Sequence, residues 1–551
     1  MKIVLSQINT HVGNFELNTQ KIIEAIENAK IKKADLVIFP ELSVCGYPPK
    51  DLLKSRGFIE KSQKAINDIL LHTTNIAAII GAPSISNSKK DNKRLYNSAY
   101  VLDNGIIKHI IHKTALSNYD VFDGCRYFNS NKNFNIVDIK GIPIAITISD
   151  DISCGMSLFD PYRNIEHCTN NPLEELKKLN PSLIVNISAK PFSYLQENRK
   201  IEMFRQIVSK YNIPLINVNL VGGNGDLIFN GESLVLNQDL KVAAQLKSFS
   251  EDTLIFDFSN IHKTIITPSL QTDSLIKIKE ALILGIRDFF AKNSFSKALI
   301  GLSGGLDSAV VAALATEALG NNNVIGVLMP SEFSSDHSVV DAMQLAKNLD
   351  IEYHQIHINS LFDSYRKTLQ PIFRDLPFGL AEENLQARIR GTLLMAISNK
   401  FGHIVLNCSN KSEFAVGYST MYGDSVGAIS VIGDVYKTDV YSLAKLINFK
   451  QTIIPNNIIT KPPSAELRPN QKDTDSLPDY DVLDKILFNY IEKQMSEYDI
   501  VDLGFDADVV KKVIRLVNSS EYKRLQAPPI LRVSSKAFGF GRRFPIVSKL
   551  D

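Results

Sequence analysis

The chain of 551 residues is short of several features that would settle its class by themselves. It has no apolar run of the roughly 18 residues that a membrane-spanning helix needs. Its first residues, MKIVLSQINTHVGNFELN, have too short an apolar core for a signal peptide and read as a first strand. Charge imbalance is almost absent. A formal net charge of +2 gives no electrostatic reason to expect nucleic acid or an anionic membrane as a partner. Cysteines are few: Cys45, Cys125, Cys154, Cys168 and Cys408, with no pair in C-x-x-C spacing. That odd, scattered set argues against a zinc site and a disulfide framework, and it fits a reducing cytoplasm. There is no internal repeat and no low-complexity segment. What is present, 44% hydrophobic and 22% charged residues, is ordinary for a globular protein of two or more domains.

Residues 1–265 read as strands alternating with amphipathic helices. Strand candidates are 2–9, 35–39, 77–81, 99–102, 106–111, 143–149, 183–188, 214–221, 233–237 and 253–258. Asp103-Asn104-Gly105 is a hairpin turn signal. Many strands with few helices between them predict a sheet-on-sheet core flanked by helices. Residues 266–274, rich in Thr, Pro, Ser and Gln, read as a linker. From 275 to 551 longer helices alternate with strand candidates at 298–302, 324–329, 352–357 and 404–407, the pattern of a parallel α/β domain.

Residues 297–320, KALIGLSGGLDSAVVAALATEALG, are the most informative stretch. An apolar strand runs into Ser303-Gly304-Gly305, and a helix follows from about Asp307-Ser308. Glycines let the backbone approach a ligand and aim N–H groups at an anion, and the helix N-terminus adds positive partial charge. The loop is not a Walker A motif, because no Gly-Lys-Ser/Thr closes it. Three readings fit it: a G-x-S-x-G nucleophile elbow, a plain Gly-rich turn, and the S-G-G-x-D-S loop of the ATP pyrophosphatases. Ser303, Gly304, Gly305, Leu306, Asp307 and Ser308 fill all six positions of the last. The elbow leaves Asp307-Ser308 unexplained, and no Asp and His follow it in a triad arrangement.

In the front half, FPELSVCGYPPKDLL (39–53) places Glu41 past a buried strand. HKTALSNYDVFD (112–123) carries Lys113 and Tyr119, and PIAITISDDIS (143–153) ends a strand at Ser149-Asp150-Asp151. With GGNGDLIFNG (222–231), these segments resemble the carbon–nitrogen hydrolase (nitrilase) superfamily in its form fused to NAD synthetases. The resemblance implies a four-layer α-β-β-α sandwich. It also implies a glutaminase-type site with Glu41 as general base, Lys113 stabilising an oxyanion and a cysteine attacking the amide. The cysteine's position holds Ser149, and Asp150 stands where the family has Glu. The family's glutamine pocket is matched by Tyr119, by Lys190 in place of Ser, and by Gln196 in place of Lys. Gly225 and Asn230 replace acids. A thiol has a pKa near 8.5, whereas an alcohol is essentially never ionised at neutral pH. A serine nucleophile needs a strong aligned base, and no motif here supplies one. Cys154, five residues on, reads as a buried or loop cysteine. The expectation is a retained domain with glutaminase activity weak or absent.

In the back half, ENLQARIRG (383–391), CSNKSEFAVGYSTMYGD (408–424), VIGDVYKTDVYSLAKLIN (431–448), PPSAELRPNQKDTDSLPDYDVLD (462–484) and EYKRLQAPP (521–529) resemble the glutamine-dependent NAD synthetases. That resemblance, over residues 275–551, implies a doubly wound parallel-sheet domain of the adenine nucleotide α hydrolase type. It assigns ATP to Gly301, Leu302, Ser303, Gly304, Gly305, Leu306, Asp307 and Ser308, with Cys408 standing where a Thr is expected. It assigns deamido-NAD to Asn384, Glu413 and Lys523. Arg388 either meets the dinucleotide's phosphates or braces its helix, and Lys437 is a phosphate contact. Asp307 and Glu413, both hard oxygen ligands, are the candidates for Mg²⁺.

The implied reaction is ATP-dependent amidation of deamido-NAD to NAD through an acyl-adenylate, with release of AMP and pyrophosphate. With Ser149 in the front site, free ammonia is the expected nitrogen donor; the alternative is a fully glutamine-dependent enzyme that uses Ser149. Another ATP pyrophosphatase, such as a GMP or asparagine synthetase, is opposed by the N-K-S-E and P-S-A-E-L segments. A non-enzymatic binding protein is opposed by the intact loop. The resemblance also implies a homo-oligomer, a dimer or larger.

Overall fold

The computed structural model of the chain describes residues 1–86, 93–154, 171–262 and 273–548. Two compact units divide it, residues 1–272 and 273–551. The expected linker, 266–274, falls outside the described residues except for its last two positions.

The front unit is built on alternation. Its first sheet contains β1 (Lys2–Gln7), β2 (Leu36–Ile38), β3 (Ala77–Ile85), β4 (Leu95–Asp103) and β5 (Ile106–His112). Between these strands run α1 (Phe15–Ile31) and α2 (Arg56–Leu70). After α3 (Gly124–Tyr127), a second sheet forms from β6 (Val137–Ile139), β7 (Ile142–Ile148), β8 (Leu183–Ser188), β9 (Leu215–Asn219), β12 (Leu234–Leu236) and β13 (Val242–Gln245). α4 (Pro172–Lys177) and α5 (Glu197–Tyr211) cross over within it, and β10 (Val221–Asn224) and β11 (Leu227–Asn230) make a separate hairpin. β14 (Asp252–Asp257) returns to pair antiparallel with β1. Among the described residues each large sheet has six strands, in the orders β14-β1-β2-β3-β4-β5 and β13-β12-β9-β8-β7-β6.

Successive side chains on a strand point to opposite faces, so each strand serves two layers. Ile3 and Leu5 of β1, Leu36 and Ile38 of β2, Ile146 and Ile148 of β7 and Val185 and Ile187 of β8 meet in one core between the sheets. Val4 and Val37 turn outward onto Ile22, Ile26, Ile66 and Ile69 of α1 and α2. Ala145, Ile184 and Leu215 turn outward onto α4 and α5 through Leu173, Leu176, Phe204 and Ile207. Each such aliphatic side chain contributes roughly 1.5–3 kcal/mol when fully buried. The result is the α-β-β-α sandwich that the sequence implies. Asn104 and Gly105 both have positive φ, +50° and +76°, as the β4–β5 hairpin turn requires. The expected strand at 214–221 is two strands, because the chain leaves the second sheet after Asn219 to enter the β10–β11 hairpin.

The back unit opens with α6 (Ser274–Lys292). It continues through β15 (Ala298–Gly301), α7 (Leu306–Leu319), β16 (Val324–Leu328), α8 (Asp336–Asn348), β17 (Glu352–Gln355), α9 (Asn359–Phe373) and α10 (Leu380–Phe401). It then runs through β18 (Ile404–Asn407), α11 (Lys411–Val416), β19 (Ile429–Ser430) and α12 (Lys437–Ile447) into shorter helices. Among the described residues the sheet is five-stranded and wholly parallel, in the order β17-β16-β15-β18-β19. β15 lies at its centre, where the direction of winding reverses. Because parallel crossovers are right-handed, α7 and α8 cover one face while α10, on the way back to β18, covers the other. There Ile389 and Leu394 pack on Leu299, Val327 and Val405. α7 is apolar almost all round and correspondingly buried from Ser308 to Ala315. No described helix is long and apolar enough to cross a membrane.

Candidate functional site

Each unit gathers polar side chains at strand C-terminal ends. In the front unit Glu41 lies three residues past β2 and is 1% exposed. The backbone of β3 passes directly beneath it: a Cβ on Gly81 would come within 2.3 Å of the Leu42 nitrogen, so only glycine fits. Glu41 Oε1 accepts hydrogen bonds from Lys113 Nζ at 2.8 Å and Asn97 Nδ2 at 2.7 Å, and Oε2 accepts one from the Ala189 amide at 3.1 Å. Lys113, the first residue after β5, is buried. Burial would depress its amine, but the carboxylates of Glu41, Asp150 and Asp151 outweigh it and raise the amine above its ordinary value.

Ser149 follows β7 directly and opens a 3₁₀ turn over Ser149–Ser153. Its φ of +51° lies in the left-handed region, which non-glycine residues seldom occupy. The residue is buried, and no hydrogen bond holds its hydroxyl among the described residues. Ser149 borders a cavity of about 80 Å³ with Asp150, Ser188, Lys190, Gln196 and Asn217, and among the described residues no histidine lines it. Asp151 stitches this turn to the Lys113 segment. Its Oδ1 accepts from the amides of Thr114 at 2.9 Å and Ala115 at 2.6 Å, and its Oδ2 from that of Ile148 at 3.1 Å. Burial pushes the Asp151 carboxyl up to about 7, against the pull of those amides. Asp150 behaves oppositely. Burial would raise it, but Lys190 and Lys113 hold it well below the usual carboxylate range. Lys190 Nζ is 2.8 Å from Asp150 Oδ1 and 3.3 Å from the Tyr119 hydroxyl. Cys154 is buried, as the sequence suggests, but it is also disulfide-bonded, against the expectation of no disulfide framework. Spacing along a chain does not reveal which sulfurs the fold brings together.

In the back unit the cluster straddles the point where the winding reverses, the place where open α/β sheets take ligands. The loop after β15 turns at Gly304, whose φ is +77° and where a Cβ would lie 2.2 Å from the Ser338 carbonyl oxygen. Gly305 is the N-cap of α7, and no side chain caps that helix N-terminus. The Ser303 and Ser308 hydroxyls lie 3.2 Å apart, and the Gly305 amide donates to Ser303 Oγ at 3.1 Å. Across the switch point, Asn410 caps α11: its Oδ1 accepts from the Glu413 amide at 2.9 Å. The Asn410 Nδ2 reaches back to Asp307 Oδ1 at 3.0 Å, which ties the two strand ends together. Lys437, the first residue of α12, is almost wholly buried. Its Nζ donates to Asp307 Oδ2 and lies 3.7 Å from Glu413 Oε1. Burial, with the Asp307 charge nearby, pushes the Glu413 carboxyl up to about 8. The same two carboxylates overcome the burial of Lys437 and raise its amine. These groups line a cleft of about 480 Å³ together with Cys408, Arg390, Asp473, Lys461 and Glu466.

Two family descriptions cover nearly the whole chain: carbon–nitrogen hydrolase over residues 2–261 and NAD synthase over residues 278–527. Over 550 residues the chain is 44% identical to the glutamine-dependent NAD(+) synthetase of Synechocystis sp., covering 99% of this chain and 98% of that one. It is 38% identical to that of Thermotoga maritima, over 100% of this chain and 99% of the relative. The solved structure of glutamine-dependent NAD+ synthetase from Acinetobacter baumannii in complex with ADP matches with a TM-score of 0.78. It is 38% identical and covers 99% of this chain and 98% of that one. The chain belongs to the glutamine-dependent NAD(+) synthetase family.

Of the residues that the family resemblance singled out, Gly301, Leu302, Ser303, Gly305, Leu306, Asp307, Ser308, Cys408, Glu413 and Lys437 line the cleft. Gly304 shapes the loop from behind. Asn384, Arg388 and Lys523 gather instead around the 417–424 segment. Asn384 Oδ1 accepts from Thr420 Oγ1 at 2.7 Å, and Arg388 Nε donates to the Met421 carbonyl at 3.2 Å. Lys523 Nζ donates to the carbonyls of Gly417 at 2.7 Å and Ser419 at 3.0 Å. The Met421 bond ties the Arg388 side chain to the 417–424 segment. In the front unit Glu41 and Lys113 meet, Ser149 is tied to the Lys113 segment through Asp151, and Tyr119, Lys190 and Gln196 stand around Ser149 and Asp150.

Several residues in these clusters went unassigned from sequence. Asn410 was detectable: an Asn three residues before a Glu at a helix start is a capping-box pattern. Asn97 and Arg390 carry no such signal. Arg390 lines the cleft, with its Nε on the Met329 carbonyl at 2.9 Å. Glu466 accepts from the hydroxyls of Ser335 and Ser338, each at 2.7 Å, and so pins the P-S-A-E-L segment to the start of α8.

Proposed function

We propose that the back unit is an NAD synthetase that amidates the nicotinate carboxylate of deamido-NAD with ATP, and that its nitrogen comes from free ammonia. The observation that carries the reading is the joining of Asp307, Lys437 and Glu413 at the mouth of an uncapped helix, beside a Ser-Gly-Gly turn. A carboxylate does not react with ammonia at neutral pH, so it has to be activated first. Its oxygen attacks the α-phosphorus of ATP and pyrophosphate leaves. Ammonia then attacks the acyl carbon, a proton is lost, and AMP leaves as NAD forms.

The residues present fit this work. The amides and hydroxyls of the 303–308 turn and the free N-terminus of α7 would hold the phosphates and the departing pyrophosphate. Lys437 and Arg390 would offset charge gathering on them. Asp307 and Glu413, two carboxylates beside a phosphate cradle, form a donor set suited to Mg²⁺, which prefers one or two carboxylates together with phosphate oxygens. Mg²⁺ bound there would neutralise phosphate charge. Asn410 would keep Asp307 and Glu413 at a fixed separation, so that the site is organised before substrate arrives. Asn384 and Lys523 would meet the deamido-dinucleotide, and reaching it requires Lys523 to exchange its backbone carbonyls for the ligand.

The front unit supports the second half of the proposal. Glu41 and Lys113 are paired as a base and an oxyanion donor would be, but among the described residues Ser149 has no hydrogen-bonded base and no histidine lines its cavity. A family that hydrolyses glutamine with a cysteine would then be represented here by a domain whose nucleophile is an alcohol. The chain also carries the family's implied expectations of a cytoplasmic setting and of assembly into a homo-oligomer, a dimer or larger.

The test is to incubate the full chain with ATP, Mg²⁺ and deamido-NAD, supply ammonium or glutamine, and measure NAD. NAD formation with ammonium and a rate near zero with glutamine is the expected result. Equal rates with both donors would show that Ser149 or another nucleophile works, and no NAD with either would overturn the synthetase assignment.

A further inference from the structure

We propose that Lys190 is a built-in occupant of an ammonium cage beside Ser149, and that this occupancy bars an α-amino acid from the front site. Among the described residues the cage has three walls. Asp150 Oδ1 lies 2.8 Å from Lys190 Nζ, the Tyr119 hydroxyl lies 3.3 Å from it, and the Phe122 ring presents its face with the centroid 5.3 Å away. A carboxylate, a phenol oxygen and an aromatic face together are what a primary ammonium group seeks. The walls are themselves fixed. Asp150 Oδ2 accepts from the Ser117 and Tyr119 hydroxyls, and the rings of Tyr119 and Phe122 pack edge to face at 5.3 Å. Asp150 is only 6% exposed, so a carboxylate held there needs a cation to stay charged.

Lys190 supplies that cation from within the chain. It is positioned by its own backbone, whose amide donates to Asn219 Oδ1 at 2.9 Å, and by Pro191 and the buried Phe192 that follow. A tethered ammonium competes with a free one at an effective concentration of about millimolar or above, so a dissolved amino acid has to displace a neighbour that never leaves. Both line the cavity that Ser149 borders, so a ligand whose ammonium entered the cage would lie along that hydroxyl. The inference rests on the reading that this site does not turn over glutamine, and it deepens it. Ser149 governs turnover, whereas Lys190 governs binding.

Calorimetry on the full chain separates the two. Unaltered protein is expected to bind L-glutamine with no measurable heat at millimolar concentration. Lys190→Ala is expected to bind it at least tenfold more tightly, and Lys190→Met, which fills the cage without charge, is expected to bind no more tightly than the unaltered chain. N-acetylglutamine, which lacks the ammonium, is expected not to bind Lys190→Ala. A folded Lys190→Ala protein with no gain in glutamine affinity overturns the proposal, as does equal binding of the acetylated compound. A measurement on the unaltered chain needs no variant to fold. Lys190 should react with an amine-directed reagent several-fold more slowly than Lys178, whose side chain is 67% exposed; equal rates overturn the cage. Release of ammonia from glutamine by the unaltered chain would refute the reading of Ser149, and it is measured separately from binding.

Discussion

The front and back clusters use one device for different ends. In both, a lysine is buried against a carboxylate at a strand end: Lys113 on Glu41 at 2.8 Å, and Lys437 between Asp307 and Glu413. In the front the pair is closed in, with the two side chains 9% and 1% exposed, and neither is among the residues that line the cavity of about 80 Å³ at Ser149. In the back the carboxylates are each 17% exposed and face a cleft of about 480 Å³. The difference shows what a preorganised ion pair does and does not supply. Polarisation and charge balance are built into both places. Chemistry additionally needs a group that reacts, and on the reading proposed above the front site lacks one.

The largest expected effect comes from breaking the back cluster. Lys437→Met keeps the length of the side chain but leaves Asp307 and Glu413 facing each other without a cation. Removing one partner of a buried ion pair costs about 3–5 kcal/mol. The melting transition of the back unit should fall accordingly, and NAD formation should be lost even where the protein remains folded. A variant with unchanged melting would mean that the two carboxylates share a proton, as the raised Glu413 carboxyl allows.

Asp307→Asn is milder for the fold, because Asn keeps the shape and an acceptor oxygen for Asn410 Nδ2. It removes the charge. With ammonium as donor, NAD formation should drop by on the order of 10²–10³-fold, the scale of losing one preorganised electrostatic contact. A drop in kcat with little change in the KM for deamido-NAD is expected, and the reverse split would place Asp307 in dinucleotide binding instead.

These two variants also mark how far the sequence alone could be read. The 303–308 loop was legible because few residue types permit its backbone: Gly304 has φ +77°, with the Ser338 carbonyl in the way of any side chain. The sandwich was legible because β1, β7 and β8 are long enough to show a face. Strands of two to four residues such as β6, β13 and β19 are too short to show a pattern, and pairing with a neighbour decides them. The Asp150–Lys190 contact was hidden for another reason. Each residue is a separate departure from the family's pattern, 40 positions apart, and only the fold shows that one answers the other. Asn384, Arg388 and Lys523 show the converse limit: a motif marks residues by position, while their present hydrogen bonds run to the 417–421 segment, that of Asn384 to the Thr420 hydroxyl and the others to backbone carbonyls.

The front site offers a smaller but sharper test of the comparison. Ser149→Cys places a thiol at a position where the backbone already holds the left-handed φ of +51°. With Lys190 still in the cage, glutamine-supported NAD formation should stay below about a tenth of the ammonium-supported rate, since a thiolate is of no use to a ligand that is not bound. Ser149→Cys combined with Lys190→Ser should raise it above either single change. Full glutamine use by Ser149→Cys alone would show that Ser149 is the whole of the defect and that Lys190 is a bystander.

The smallest expected effect concerns the departure in the back site. Cys408 lines the cleft, with its sulfur 3.8 Å from the Leu406 carbonyl oxygen as its hydrogen-bond acceptor. Burial, with Asp307 and Glu413 nearby, pushes that thiol far above its usual range, so it stays neutral. Cys408→Thr would supply a hydroxyl to the nucleotide. A neutral hydrogen bond is worth about 0.5–1.5 kcal/mol net, so the KM for ATP should fall by roughly two- to tenfold with kcat nearly unchanged. Ser409, buried one residue on in the same cleft, already offers a hydroxyl, which argues for the lower end of that range. A substitution that only tunes nucleotide affinity leaves the Asp307, Glu413 and Lys437 cluster intact. On the proposed reading Ser149 differs, because it would stand at the reacting position itself. If Cys408→Thr instead changed kcat by more than tenfold, the two departures would be alike, and the contrast between a working and a silent site would have to rest on Lys190 rather than on Ser149.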